Sequence, residues 1–407
     1  MFSIPVPYGR RTAMLAVLSA LFSCGANAAP LTETEALRFG LARPELADLA
    51  QARLGEADAD ALEANTWANP TFELARDKTG ASTETSWQIS QPIDFSGRRG
   101  LRSRAAEQRR LAAESENLIR SAERMAEVRR LFYSTLRQQE TLRAVQAWTS
   151  RFAEIGNVVD KLTRAGETSG YDRRRLVREQ RAAEARLAET GAELARSRAK
   201  LSTLLGQANE DGVTGRLLPV APPTLDSLRK KLAERPDLAA LAAKAEAANA
   251  DNAATRRNVP EVTFGIGGKR VDDGVSREIG TLFSVSIPLP LFDRQQSGDR
   301  RSAAQAMAAR AELNLARQSA DGELTGLHRQ LSQLITAAER YRQDAVAPSA
   351  ELVRIAESAY RAGESTVLEL LDAYKGALEA ETTALDLEWK AREARIELDQ
   401  LTGNSPQ

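Results

Sequence analysis

The string Arg-Ala-Gly-Glu occupies residues 164–167 and occurs again at residues 361–364, 197 positions later. A second pair keeps the same order, because Arg-Pro-Glu-Leu at 43–46 returns as Arg-Pro-Asp-Leu at 235–238. The second separation is 192 residues, and self-similarity at a nearly constant separation is the sequence signature of a duplicated structural unit. The chain is therefore interpreted as one unit of roughly 190 residues that occurs twice.

The spacing of the prolines shows where the two units differ in length. Pro70 and Pro92 are 22 residues apart, whereas their counterparts Pro260 and Pro288 are 28 apart. Insertions are tolerated best at loop tips, where they add little chain entropy and disturb few contacts. We therefore expect the six extra residues in a loop tip.

Composition excludes several classes of function. The 407 residues include 56 basic and 56 acidic side chains, and a nucleic-acid partner would need a basic excess. The chain has one Cys and one His, which leaves almost no material for a disulfide, a metal site or a catalytic nucleophile with a His partner. We expect no catalytic residue, no cofactor and no bound metal.

Residues 1–28 have the pattern of a secretory signal peptide. Two arginines precede an apolar run at 13–22, and Ala-Asn-Ala at 26–28 is a small-x-small cleavage site. Cys24 leaves an alternative open, because Leu-Phe-Ser-Cys is close to a lipoprotein acceptor site. No later segment has 18 or more consecutive apolar residues, so no membrane-spanning helix is expected.

Each unit shows the same order of patterns: a helical segment, two short strands and a very long helical hairpin. The first unit, 29–220, has a helical pattern at 31–68, a strand hairpin at 70–95 and a helical hairpin at 97–206; the second, 221–407, has these at 224–258, 260–290 and 293–403. Apolar residues in the long segments recur at intervals of three, four and seven, which is typical of coiled coils. Pro348 is predicted to kink the first long helix of the second unit, 293–361.

The number and length of the strands indicate a membrane barrel that one chain cannot close alone. Val262, Phe264 and Ile266 alternate with polar or small residues, and each strand has about the 9–11 residues of a tilted membrane strand. Four strands cannot close a barrel, and unpaired edges cannot lie in lipid. Further copies are required, and three copies would supply twelve strands.

These features resemble the TolC-like outer-membrane factors over the whole mature chain. The turn segments at 164–172 and 360–373 match the periplasmic tips of that family. Gln-Pro-Ile-Asp at 91–94 and Ser-Ile-Pro-Leu-Pro-Leu-Phe-Asp-Arg at 286–294 resemble its cobalt-zinc-cadmium (CzcC-like) branch.

The resemblance implies a mainly α fold with a small β part: a trimeric 12-stranded outer-membrane barrel on a periplasmic α-barrel. It implies the exit duct of a tripartite, proton-driven efflux pump. The expected partners are a periplasmic adaptor (membrane fusion) protein, an inner-membrane resistance-nodulation-division transporter, two further copies of the chain and outer-membrane lipid.

The resemblance also implies roles for residues near the tips. Glu369 and Asp372 would form rings of carboxylates at the periplasmic entrance, which favour cations; the alternative is a solvated helix face. Asp172 and Tyr360 would hold the closed tunnel mouth, although Asp172 could simply cap its helix. The turn residues expected to dock partners are Gly166, Glu167, Gly363 and Glu364.

Two further features receive ordinary interpretations. His328 has no His or Cys near it in sequence, so a metal-ligand role is not expected. The basic run 98–104 follows the inner end of a strand hairpin and is interpreted as a polar cluster at the membrane boundary.

The function expected from these features is export of divalent heavy metals such as cobalt, zinc or cadmium. A multidrug or type I secretion duct is the first alternative. A periplasmic coiled-coil adaptor is an alternative from another class, and detergent-dependent extraction would separate it from a membrane channel.

Overall fold

The computed structural model of the chain describes residues 30–208, 211–232 and 234–403. The predicted signal peptide, 1–28, and Cys24 lie outside the described residues. The elements are α1 (Glu33–Leu41), α2 (Pro44–Asn65), β1 (Thr71–Thr79), β2 (Ser82–Ile93), α3 (Arg98–Arg164), α4 (Gly170–Leu205), α5 (Leu225–Leu232), α6 (Pro236–Thr255), β3 (Val262–Asp272), β4 (Arg277–Ser286), α7 (Gln296–Tyr341), a π-helical turn (Arg342–Val346), α8 (Ala347–Arg361) and α9 (Val367–Thr402).

The helical segment that opens each unit is broken in two. Pro44 and Pro236 each occupy the first turn of a new helix, α2 and α6. Proline is favoured there because its missing N–H would have no partner in the first turn anyway. The helical patterns at 31–68 and 224–258 are therefore each realised as two helices, the second of which begins at the proline.

The long helices form two antiparallel hairpins. Helix α3 has 67 residues, which corresponds to about 100 Å at 1.5 Å per residue. It packs against α4, α6 and α9, and α7 packs against α6 and α9. No helix in the described ranges combines the length and the apolar character needed to cross a membrane.

Pro348 is accommodated without interruption of the helix. The π-helical turn Arg342–Val346 precedes it and runs directly into α8. A proline lacks the N–H that would bond the carbonyl four residues earlier, here that of Asp344, and its ring crowds that carbonyl. The wider π turn contains Asp344, whose carbonyl the proline ring would crowd. Arg342 anchors this turn to α9 through ion pairs with Glu381 at 2.8 Å and Glu388 at 2.5 Å.

The four strands form one antiparallel sheet in the order β1-β2-β3-β4. The central pairing, β2 with β3, joins the two units, with Ile89 opposite Ile266. The strands β1 and β4 each pair on one side only. Their outer edges therefore carry backbone donors and acceptors that need partners from elsewhere.

The location predicted for the six extra residues is partly wrong. The tip of the second hairpin contains four residues, 273–276, whereas that of the first contains two, 80–81. Strand β3 contributes two more, since it has 11 residues and β1 has nine. The other two are residue 261 before β3 and residue 287 after β4.

The two Arg-Ala-Gly-Glu strings form the same turn. Gly166 and Gly363 have φ of 79° and 76°, a left-handed conformation that glycine adopts without steric cost. The N–H of Glu167 reaches the carbonyl of Leu162 at 2.9 Å, and the N–H of Glu364 reaches that of Ala359 at 2.9 Å. These are the closing bonds of a helix C-terminus, with the glycine in the left-handed cap position.

A buried ionic cluster ties the first helix to the two long hairpins. Arg129 on α3 donates to Glu33 on α1 at 2.6 Å and to Asp399 on α9 at 2.9 Å. Arg395 also donates to Asp399 at 2.9 Å, and Tyr133 donates to Glu33. The side chains of Arg129 and Asp399 are only 6% and 5% exposed, so each charge depends on its partner.

We predict that Arg129→Ala lowers the free energy of unfolding by about 3 kcal/mol, because it leaves a buried carboxylate without one of its two cations. Chemical unfolding of the detergent-purified chain, followed by circular dichroism, measures the change. Arg143→Ala is the matched control on the same helix. Its pair with Glu140 is exposed, so it should cost less than about 1 kcal/mol. Equal losses of unfolding free energy in the two variants would contradict a stabilising role for the buried cluster around Arg129.

Candidate functional site

The ends of the two helical hairpins share one apolar core. It contains residues from α3, α4, α8 and α9. Phe152 lies at its centre, with Trp148 at 4.9 Å and Tyr374 at 5.5 Å between ring centroids, both edge to face. Tyr374 also donates to Glu357 on α8 at 2.8 Å. The tip region of the chain is therefore one packed body in which the positions of the turns are coupled.

An ion pair fixes α4 beside α9. Lys375 reaches Glu179 at 2.7 Å, and Arg178 reaches the same carboxylate at 2.6 Å. These two cations lower the pKa of Glu179 below its ordinary value, with the bond from Lys375 as the largest cause. The pairing joins residues 196 positions apart and has no signal in the sequence pattern.

Glu369 has a structural partner as well as an exposed position. Its carboxylate accepts the N–H of Thr366 at 2.9 Å, and the hydroxyl of Thr366 accepts the N–H of Glu369 at 3.3 Å. This reciprocal pair is a capping box that satisfies the first turn of α9. Asp372 lies one turn further along and is exposed. Both carboxylates therefore lie on the solvent side of α9, close to the tip.

The helix cap attributed to Asp172 belongs to another residue. Ser169 is the N-cap of α4, and its hydroxyl accepts the N–H of Asp172 at 3.1 Å and donates to the Asp172 carboxylate at 2.7 Å. The capping interpretation of Asp172 is wrong because this residue lies three positions after the N-cap, inside the first turn. Asp172 instead supports the cap from within the helix.

Tyr360 is buried at the end of α8, with its side chain 6% exposed. Burial raises the pKa of its hydroxyl; nearby Asp172 adds to the rise, and Thr168 opposes it. No described residue meets the Tyr360 Oη with hydrogen-bond geometry. Asp172 and Tyr360 thus lie near each other within one chain, and the tyrosine hydroxyl can still form a hydrogen bond.

The turn residues themselves are open to solvent. All four predicted docking residues are exposed: Gly166, Glu167, Gly363 and Glu364. The backbone bonds of the turns close onto the helix ends, and the acidic residues Glu167 and Glu364 are exposed. This surface is available to a partner.

The two strings that resemble the metal branch form equivalent corners between strand and helix. The carboxylate of Asp94 accepts the N–H of Ser96 at 2.8 Å, and Asp293 accepts that of Gln295 at 2.8 Å. Both are Asx turns, in which an aspartate mimics a backbone turn. Arg98 is buried beside the first corner and donates to the carbonyl of Val259 at 3.3 Å. The first arginine of the basic run therefore holds the two units together.

The sheet has one apolar and one polar face. The face that carries Phe72, here called the apolar face, also presents Leu74, Trp87, Ile89, Phe264, Ile266, Phe283 and Val285. On the opposite, polar face, Gln88 donates to Ser90 at 2.8 Å and to Ser284 at 2.5 Å, and Lys269 pairs with Glu84. One apolar and one hydrogen-bonded face is the pattern of a membrane barrel with a polar interior.

His328 has a structural contact. Its Nε2 lies 3.0 Å from the carbonyl oxygen of Pro223, which makes that nitrogen the donor. The contact holds the segment between the two units against α7. No cluster of three or more candidate metal ligands is formed within the described part of the chain.

A sheet with one lipid-compatible face, set on long coiled-coil hairpins, defines a subunit of a membrane channel. A family described as Outer membrane efflux protein matches residues 41–207 and 228–404. The chain belongs to this family of TolC-like channels. It is thus a non-enzymatic efflux channel of the outer membrane with a helical extension in the periplasm, and the family works within tripartite pumps.

Individual relatives agree with this assignment. The chain is 28% identical over 387 residues to the cobalt-zinc-cadmium resistance protein CzcC of Cupriavidus metallidurans, covering 92% of this chain and 91% of that protein. It is 28% identical over 289 residues to the nickel-cobalt-cadmium resistance protein NccC of Alcaligenes xylosoxydans xylosoxydans, covering 66% and 64%. The crystal structure of the outer membrane protein VceC of Vibrio cholerae superposes with a TM-score of 0.76 at 17% identity, covering 91% and 96%.

Proposed function

We propose that this chain is the exit duct through which divalent heavy-metal cations such as cobalt, zinc or cadmium leave the cell. The observation that carries the proposal is the similarity to CzcC, a cobalt-zinc-cadmium resistance protein, along 92% of the chain. NccC, which is named for resistance to nickel, cobalt and cadmium, adds support. The two Asx corners, at Asp94 and Asp293, lie in the strings that resemble this branch.

The working form in this proposal is a homotrimer. Strands β1 and β4 leave two unpaired edges per chain, and pairing β4 of one copy with β1 of the next removes all of them. The helices also carry large apolar side chains that a single chain leaves exposed. They include Leu118, Met307, Leu315, Leu352 and Ile355. Exposed apolar residues of this kind mark surfaces for other subunits.

The expected pump partners are a periplasmic adaptor protein and an inner-membrane resistance-nodulation-division transporter. The exposed turns around Gly166 and Gly363 are the proposed docking points. The alternative that the chain is itself an adaptor is wrong, because both halves match the outer membrane efflux family. Whether the leader is cleaved after Ala28 or acylated at Cys24 stays a prediction.

The entrance is proposed to attract cations without binding them tightly. In a trimer, Glu369 and Asp372 would give up to six carboxylates near one axis, and such rings raise the local concentration of cations. Conduction also requires that the cation leave, so attraction is more useful here than coordination. Glu369 keeps its capping bond in this arrangement, which fixes the orientation of its carboxylate.

We predict that deleting the gene raises sensitivity to cobalt, zinc or cadmium salts, because the periplasmic metal then lacks its exit. Growth in graded metal concentrations measures the effect, and complementation with the full chain should restore tolerance. A complementing chain truncated at the tip around Gly363 should fail, because the docking turn is lost. Unchanged metal tolerance with reduced drug tolerance would favour the multidrug alternative and contradict the proposal.

We predict that Glu369→Gln with Asp372→Asn lowers cation selectivity in planar bilayers and weakens block by trivalent cations. Gln is also accepted at this position of a capping box, so α9 should retain its stability to within a few tenths of a kcal/mol. Glu189→Gln with Glu193→Gln removes the same charge from exposed positions of α4 and serves as the control. If the variant with Glu369→Gln and Asp372→Asn keeps the selectivity of the wild-type channel, these carboxylates are only a solvated helix face and the prediction is wrong.

We predict that Tyr360→Phe raises the conductance of the resting channel. Its hydroxyl forms no hydrogen bond of good geometry with a described residue of one chain, so in the proposed gate it is free to bond a neighbouring copy. Loss of that hydroxyl should change stability by less than about 1 kcal/mol. Single-channel recording tests this, with Tyr171→Phe as the control, because Tyr171 is exposed at the same tip. Identical resting conductance in the three proteins would remove Tyr360 from the gate.

A further inference from the structure

The apolar face of the sheet does not stay apolar along its whole length. The row formed by Phe72, Ile89, Ile266 and Phe283 is fully apolar, and the next row towards the hairpin tips contains Leu74, Trp87, Gly268 and Thr281. The row after that contains Arg76, Thr85, Arg270 and Ile279, and the last contains Lys78, Thr83, Asp272 and Arg277. The face therefore changes from apolar to basic within two rows, or about 14 Å.

Most of the basic side chains on this face have no paired contact within the described residues. Arg277 is paired with Asp272 at 2.7 Å, and Arg270 acts on that carboxylate only through its longer-range charge. Arg76, Lys78 and Arg270 are exposed, and none of them forms an ion pair or hydrogen bond through its side chain with a described residue. On the polar face the situation differs, because Lys269, the neighbour of Arg270, is neutralised by Glu84. The unbalanced positive charge is thus confined to the face that contacts lipid.

An open trough of about 980 Å³ lies at this level of the sheet. Arg76, Arg270 and Arg277 line it on the tip side, and Trp87 lines it on the apolar side. Gly268 makes room for the Trp87 indole, since a Cβ there would lie 2.9 Å from the indole Nε1. Tryptophan is enriched at the boundary between hydrocarbon and headgroups, so the trough lies at headgroup depth.

The trough faces the outer leaflet of the outer membrane. Both hairpins connect to the long helices at their bases and turn at 80–81 and 273–276, at the opposite end of the strands. Since the helices of this family extend into the periplasm, the tips point away from the cell. The lipid beside Arg76 and Arg270 is therefore lipid of the outer leaflet.

From this arrangement we infer that Arg76, Arg270 and Trp87 form a site for the phosphate-bearing headgroup of an anionic lipid of the outer leaflet. The guanidinium groups of Arg76 and Arg270 pair with phosphate oxygens, since arginine presents several N–H donors in a plane that fits them. The acyl chains lie along the apolar rows below, against Trp87 and Phe283. The inference rests on the outer-membrane location of the chain and not on the substrate proposed above.

The site can be tested with the full chain in vesicles of phosphatidylcholine. A fraction of the lipid carries brominated chains, on either phosphatidylcholine or phosphatidylglycerol, and bromine in contact with an indole quenches its fluorescence. The part of the signal due to Trp87 is obtained by subtracting the Trp87→Phe protein. The ratio of quenching by the two brominated lipids gives the preference for the anionic headgroup at this position.

We expect the wild-type chain to prefer phosphatidylglycerol, with a preference that weakens as salt is added. Arg76→Gln and Arg270→Gln should each lower the preference by about fivefold, as expected for one cation at a charged lipid surface. Lys269→Gln is the matched control, because it removes a charge from the adjacent residue on the other face and should leave the preference unchanged.

Three outcomes would overturn the inference. They are no preference in the wild-type chain, an equal loss in Lys269→Gln and Arg270→Gln, or a wild-type preference that does not depend on salt. Quenching by brominated phosphatidylcholine shows that each variant has inserted. If a variant does not insert, the salt dependence of the wild-type chain alone still decides the result.

Discussion

Unpaired backbone groups at the edges of the sheet are the constraint on which the rest of this structure depends. A hydrocarbon environment offers no water to satisfy the outer N–H and C=O groups of β1 and β4, so a four-stranded sheet cannot remain alone in a membrane. Association of copies follows from this requirement. In the proposed trimer the long helices would meet around the same axis, and residues such as Leu118 and Met307, which one chain leaves exposed, would be covered there.

The duplication also provides the contacts that fix the orientation of the narrow sheet relative to the long helices. Each strand hairpin leads into its long helix through an Asx turn at Asp94 or Asp293. The two units are joined above by β2 and β3, beside the corner by Arg98 and further along by the Arg129 cluster. Because these contacts connect residues of different units, neither unit can tilt independently of the other.

Features set by local chain geometry could be predicted from the sequence. The repeated strings at 164–167 and 361–364 form identical turns because a glycine in the left-handed region closes each helix. Alternation of residue types identified the strands and their two faces. The helical patterns at 31–68 and 224–258 were recognised, but the new helices that begin at Pro44 and Pro236 were not inferred, although proline is favoured in a first turn.

Features set by distant pairing could not be predicted. The contacts of Glu179 with Lys375 and of Arg129 with Asp399 depend on how α4 and α3 lie against α9, and nothing in the spacing of single residues encodes that. The two extra residues in β3 were missed for a related reason, because strand length depends on the register with β2. The structural partners of the candidate residues were also missed, as the Ser169 cap beside Asp172 shows.

Under the proposed entrance role, the carboxylate of Glu369 would serve both the stability of α9 and the attraction of cations. Its carboxylate accepts the Thr366 N–H at the start of α9, where the partial positive charge of the helix favours an anion. That hydrogen bond occupies one lone pair of the carboxylate, and the remaining lone pairs stay accessible to solvent. A side chain already held by its own helix loses little further entropy when a cation passes, so it can attract ions without rearranging. In the proposed entrance, the capping residue Glu369 would combine a fixed charge with weak binding, which is the combination that an exit duct needs.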